Sequence, residues 1–265
     1  MTFRGKAVLA AIAVALVLAG CRREQQFKPP PKTPEPLSFA RTTPDATVSL
    51  RLYPEFADLP GLRFQLYQDG VKELTTFLAQ AKNDHAHLAG KGLPATPYRR
   101  AIDWKVTAAT PKLVGAEELW FDDTGGAHPN QGTKGLVWDV LGDHQIAGSD
   151  LFRSGVSPTV LNDALCNAIK AEKVRRLGAA AETGDGSQGF CSKWPESEFT
   201  LAPSTVKGKI GGLIFLFDPY VLGPYAAGVF EVTVPEKTFH FWLSPDWVSE
   251  FAGDPAPRPV APPKR

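Results

Sequence analysis

Three cysteines and five histidines are all that this 265-residue chain contains of the two most versatile site-forming residues, and neither sign of charge predominates, with 29 Lys and Arg against 28 Asp and Glu. A net charge of +1 supplies no field for a phosphate backbone, so nucleic acid is not an expected partner. None of Cys21, Cys166 and Cys191 has a close Cys or His companion, which argues against a closed zinc site. Long apolar runs are also scarce. The run from Ala7 to Ala19 is shorter than the about 20 residues a spanning helix needs and stops at Gly20, Arg22 and Arg23, so no transmembrane helix is expected. No Ser or Cys stands in a recognisable nucleophile-and-base pattern, so an enzyme is the less expected reading, and no cofactor is expected.

What is present begins with a secretory pattern. Arg4 and Lys6 precede the apolar run, and small residues lead up to Cys21. Leu18-Ala19-Gly20-Cys21 resembles the lipobox of bacterial lipoproteins, which implies cleavage of residues 1–20 and lipidation of Cys21. The alternative is an ordinary signal peptide that leaves Cys21 as a free thiol. A lipidated chain would be held at the membrane by its N-terminal lipid and face the periplasm. Arg22 is not the aspartate that marks inner-membrane retention, so the outer membrane is the expected destination. In such an oxidising compartment Cys166 and Cys191 are expected to form a disulfide, worth about 3 to 4 kcal/mol in the chain-entropy picture, with two buried thiols as the alternative.

Residues 21–44 are rich in Pro, Lys, Arg and Glu and read as a semi-stiff tether, and residues 253–265 read as a Pro-rich tail that is either solvated or a basic strap on an anionic surface. Between them lies the folded domain, residues 45–252, with halves at 45–123 and 124–252. TVSLRLYP alternates as a half-buried strand, and Leu62 to Ala81 carry an apolar stripe at helical spacing, with Gly70 a tolerated flaw. RAIDWKVTAAT, KLVGAEELWFDD and GTKGLVWDVL read as a meander. Ser157-Pro158 opens a second helix, and FTLAP, VKGKIGGLIFLFDPY, GVFEVTVP and KTFHFWL read as four more strands, closed by a short helix at SPDWVSEF. The order predicts an α+β fold, helices packed on antiparallel β-sheet in two β-helix-β-meander halves.

Four stretches carry candidate chemistry. Phe121-Asp122-Asp123-Thr124-Gly125 resembles the TFDDG signature of polysaccharide deacetylases, but those enzymes pair it with an HxxxH motif that His85, His87, His128, His144 and His240 do not form. Asp-Asp-Thr-Gly-Gly is also ordinary turn chemistry. His128, between Ala127 and Pro129, is read first as the pivot of a loop, with contact to a partner or metal, or a general base, as the alternatives; Asp122, Asp123 and His128 together are a candidate metal set. His85 and His87 at a helix end are read as solvated cations, with metal sharing as the other possibility. Tyr220 and Tyr225, in FDPYVLGPYAAG, are either corner residues of the sheet or rings offered to a glycan or protein, while Trp242 and Trp247 read as core.

Two of these stretches occur together in a known family. Gly125 to Asn130, followed by the Trp138-Asp139 strand, Asp150-Leu151-Phe152 and a helix, then Gly212 to Phe215 and Phe217 to Gly228, resembles the extracellular domain shared by the RsiV anti-sigma factor and the N-terminal region of the peptidoglycan deacetylase PdaC, over about residues 45 to 250. The resemblance implies an extracytoplasmic α+β module associated with the cell wall; in RsiV it binds lysozyme, and in PdaC it accompanies a separate catalytic domain. The chain has neither a spanning helix nor room for such a domain, which leaves binding. The expected partner is a lysozyme-type muramidase or peptidoglycan, met by His128, Asn130, Tyr220 and Tyr225. A metal-assisted wall hydrolase using Asp122, Asp123 and His128 is the competing expectation.

Overall fold

In a computed structural model, residues 37–157, 159–179, 194 and 197–258 are described. Strand β1 (Ser38–Thr42) pairs antiparallel with β2 (Ala46–Leu52), whose alternation buries Ala46, Val48, Leu50 and Leu52 on one face. Helix α1 (Pro60–Gly90) follows, with Pro60 in its first turn and Leu62, Leu66, Gly70, Leu74 and Leu78 buried at four-residue intervals. It crosses the sheet and returns the chain to β3 (Tyr98–Ala109), which therefore runs parallel to β2. The meander of β4 (Leu113–Asp123), β5 (Asn130–Asp139) and β6 (His144–Ile146) completes a six-stranded sheet in sequence order. Helix α2 (Thr159–Leu177) leads to a three-stranded antiparallel sheet of β7 (Phe199–Pro203), β8 (Ile210–Phe217) and β9 (Phe230–Pro235).

The two apolar cores lie on opposite faces of the larger sheet. Val114, Ala116, Leu136 and Trp138 join α1 on one face, and their neighbours Leu113 and Val137 join α2 and β7 to β9 on the other. Gly70 allows the close approach of α1: a Cβ there would sit 2.9 Å from the Leu50 methyls. No helix among the described residues is long and apolar enough to cross a membrane.

The α+β architecture is as expected, and the differences are local. The β2–β3 pair is parallel where an antiparallel sheet was expected, because a helix long enough to span the sheet separates the two strands. Helix α1 runs nine residues past the expected Ala81, so His85 and His87 lie within it. The stretch read as tether to residue 44 contains β1. KTFHFWL forms no strand; Pro235 ends the β9 ladder, and turns of 3-10 helix at Glu236–Thr238 and His240–Trp242 follow, with His240 Nδ1 2.6 Å from Glu236 Oε2. SPDWVSEF makes only a 3-10 turn, Val248–Glu250. The stretch read as a tail from residue 253 is docked as far as residue 258, with the Ala256 amide donating to Pro203 O at 2.8 Å and Arg258 paired to Glu117 and Glu231.

Candidate functional site

The loop between β4 and β5 is built from turn chemistry: the Gly125 amide donates to Asp123 Oδ1 at 3.1 Å, and Gly125 takes a φ of 77°. It delivers His128 to the surface beside the loop between β8 and β9. His128 Nδ1 lies 2.9 Å from Pro129 O and Nε2 lies 3.1 Å from Tyr220 Oη. A carbonyl can only accept, so Nδ1 donates to it, and Nε2 shares a hydrogen bond with the tyrosine hydroxyl. Tyr225 stacks on His128 at 4.1 Å and 28° and donates its hydroxyl to the same Pro129 O at 2.5 Å. The two tyrosine rings are 5.6 Å apart, and Tyr220 is 65% exposed with a φ of 72°. A non-glycine residue held in the left-handed region costs free energy, so its surroundings must impose it.

Those surroundings include two residues that sequence reading did not single out. Asp218, at the end of β8, accepts from the Thr133 amide at 2.7 Å and from the Thr133 hydroxyl at 3.2 Å, which fastens the tyrosine loop to β5. Arg176, near the end of α2, donates to Val229 O at 2.6 Å and to Ala227 O, with its guanidinium 4.0 Å above the Phe230 ring. The signal available in the sequence was only an Asp directly after a strand and an Arg in the last turn of a helix.

The other expected groups are distributed differently. Asn130 is exposed at the start of β5, in register with Asp122. Asp122 and Asp123 point to opposite faces of β4, and each meets the arginine across from it on β3: Asp122 with Arg100 at 3.1 Å, Asp123 with Arg99 at 2.9 Å. Arg99, with help from the Gly125 amide, holds the Asp123 carboxyl below its ordinary range. With both His128 nitrogens committed as well, Asp122, Asp123 and His128 do not converge as a ligand set, and no three His, Cys, Asp or Glu side chains among the described residues are grouped to hold a metal. His85 contacts Asp45 Oδ1 at 3.1 Å and the Tyr98 ring edge, while His87 is exposed; two positions apart on a helix, they face away from each other. Trp247 donates to Asp150 O at 3.0 Å. Cys166, on α2, is disulfide-bonded. Cys21 and Cys191 lie outside the described residues.

A second polar group sits between α1 and the sheet. Glu118 is 3% exposed and meets Lys134 at 3.3 Å, and Lys134 reaches Glu73 at 3.5 Å. Burial pushes the Glu118 carboxyl above its ordinary value, against the pull of Lys134. A folded-state value raised this way adds stability below the ordinary value of 4.5, and that stability is lost as pH rises through the folded value. Glu118→Gln, neutral at every pH, is therefore expected to escape that loss, so that its stability relative to the native chain rises as pH is raised from 4.5 towards 7. Urea melts of both proteins across that range measure the difference.

Residues 149–237 match a family model described as "Protein of unknown function (DUF3298)". Two solved structures are similar to the chain. One, a member of the DUF3298 family from Bacteroides fragilis, is 19% identical with a TM-score of 0.58, covering 80% of this chain and 94% of its own. The other, a DUF3298 family protein from Pseudomonas aeruginosa, is 18% identical with a TM-score of 0.53, covering 83% of this chain and 99% of its own. At these identities the likeness concerns the fold. No curated protein matches the chain.

Proposed function

We propose that this chain is a lipid-anchored, periplasm-facing binding protein that recognises a lysozyme-type muramidase through the His128, Tyr220 and Tyr225 surface. The observation that carries the proposal is the meeting of two loops far apart in sequence into one exposed aromatic patch, with Tyr220 held in a left-handed conformation that local preference disfavours. Rings fixed in advance offer large contact area at little entropic cost, which suits a protein interface. The lipobox-like Leu18 to Cys21 and the resemblance to the RsiV and PdaC module support an envelope location, and the same module binds lysozyme in RsiV.

The test is calorimetric titration of the purified chain with lysozyme and, separately, with soluble peptidoglycan fragments. Saturable lysozyme binding is expected. Tyr220→Ala should weaken it by about 10- to 100-fold, as for a central aromatic at an interface. Tyr225→Phe removes one hydrogen bond to Pro129 O and should cost about 1 kcal/mol of stability with a smaller loss of affinity. Binding of the wall fragments alone would transfer the patch to a glycan partner, and binding of neither would overturn the proposal.

A further inference from the structure

A cavity of about 360 Å³ lies away from the tyrosine patch, in the second half of the chain. The backbones of residues 151–153 and 242–244 build it by pairing as a short antiparallel bridge. Phe152 lies opposite Leu243, the Arg153 amide donates to Trp242 O at 2.9 Å, and the Ser244 amide donates to Leu151 O at 2.9 Å. This bridge sets Arg153 beside Trp242 on the cavity wall. Phe152, Leu161 and Trp194, all buried, supply apolar lining, with Phe152 edge-on to Trp194 at 5.5 Å. Ser149, Ser154 and the Gly155 backbone supply polar lining.

The charge in this cavity is uneven. Arg153 is fixed by its Nε donating to Leu243 O at 3.0 Å and by the Phe241 ring, 5.3 Å from the guanidinium carbon. No carboxylate pairs with it among the described residues, while the one acid on the wall, Asp150, is occupied by the Ala147 amide and the Ser149 hydroxyl. Phe241 itself is 72% exposed. A fixed arginine presents a fork of donors suited to a carboxylate, and an indole face takes a flat apolar or sugar ring.

We infer that this cavity is a binding site for a small carboxylate-bearing ring, its acid group on Arg153 and its ring against Trp242 and Trp194. The cavity volume suits a ligand of one or two rings. Two sources share this chemistry, an acidic amino sugar and an aromatic amino acid at the end of a peptide.

The test is titration of the purified full-length chain, followed by tryptophan fluorescence, with N-acetylmuramic acid, N-acetylphenylalanine and the neutral N-acetylglucosamine. Saturable quenching by one of the two acids is expected, and which acid identifies the source. The neutral sugar should bind at least about tenfold more weakly than that acid. Arg153→Gln should weaken the acid by at least about tenfold, and Ser154→Phe, which fills the exposed side of the cavity without touching the bridge, should abolish quenching while leaving the melting temperature unchanged. No saturable quenching by either acid up to about 10 mM would overturn the assignment, as would quenching that survives Ser154→Phe. Equal binding of the neutral sugar would overturn the role of Arg153. Because the tyrosine patch is not involved, Tyr220→Ala should leave these titrations unaltered.

Discussion

Replacing Arg258 by methionine is expected to destabilise the chain by about 3 kcal/mol at pH 7, a large effect for a residue in a Pro-rich terminal segment. Arg258 donates to Glu117 Oε2 and, at 2.7 Å, to Glu231 Oε2. Glu117 is 2% exposed, and its other partner is Lys105 at 3.5 Å. Taking away a partner leaves a charge in a site where water cannot replace it, which is why breaking a buried pair costs more than the pair itself contributes. Methionine keeps the apolar stem in place, so the loss reports on charge. If that reasoning holds, the double variant Glu117→Gln, Arg258→Met should lose less than Arg258→Met alone. A loss below about 1 kcal/mol in Arg258→Met would mean that the segment is held by its backbone contacts, such as Thr205 N to Asp254 O at 2.9 Å, and not by the arginine.

The same variant has a pH signature. Burial, followed by the neighbouring Glu117 charge, pushes the Glu231 carboxyl above its ordinary value, and Arg258 opposes them. The raised value means that Glu231 contributes stability fully below 4.5 and loses it as pH rises through the folded value. Removing Arg258 raises that value further, so the variant sheds stability more steeply on the way to neutrality. The gap between the native chain and Arg258→Met should thus be narrow in urea melts at pH 4 and open progressively towards pH 7.

This buried ion pair also marks where sequence reading stopped. Arg258 stands in APRPVAPP, whose composition says only that it does not make a helix or strand; its partners are 27 and 141 residues away. β1 was hidden for a related reason. Ser38–Thr42 carries one large apolar residue, Phe39, and becomes a strand by pairing its backbone with β2, which side-chain periodicity cannot report. KTFHFWL misled in the opposite direction: Phe239, Phe241 and Leu243 recur at every second position, as on one face of a strand, yet Phe241 is exposed while the other two are buried, because the ladder had already ended at Pro235 and 3-10 turns follow. By contrast, β2 and α1 were legible because each buries one face, and burial of one face writes its own period into the sequence.

The candidate site was legible in parts and not as a whole. GGAHPN and FDPYVLGPYAAG read as loops, and residues 125–129 and 218–229 do connect strands, β4 to β5 and β8 to β9. That His128 would meet Tyr220, 92 positions on, depends on β8 lying against β5 across two different sheets, and no local spacing encodes that. The pairing of Asp122 and Asp123 with arginines was equally hidden, since it follows from the register of β4 on β3.

Gly135→Ala should test whether that crossing of sheets controls the patch. A Cβ at Gly135 would lie 2.1 Å from Phe199 O and 2.4 Å from Phe199 C, both backbone atoms of β7, so no side chain can move aside to make room. The Gly135 amide also donates to Glu198 Oε2 at 3.0 Å, a bond that any shift of β7 would strain. The expected loss is about 3 kcal/mol, near the upper end for overpacking because two strand backbones must separate. Gly90→Ala, where a Cβ meets nothing within 4 Å, is the control and should be neutral or slightly stabilising. Gly135 is two residues from Thr133, whose amide and hydroxyl hold Asp218, and Asp218 anchors the loop that carries Tyr220. Separation of β5 from β7 should therefore lengthen the Thr133 to Asp218 contacts and release Tyr220 from its left-handed conformation. Under conditions where Gly135→Ala is still folded, its affinity for the protein partner should fall towards that of Tyr220→Ala. Retention of full affinity alongside the 3 kcal/mol loss would show instead that the patch is held locally, by His128, Tyr225 and Pro129, and that the two sheets serve only stability.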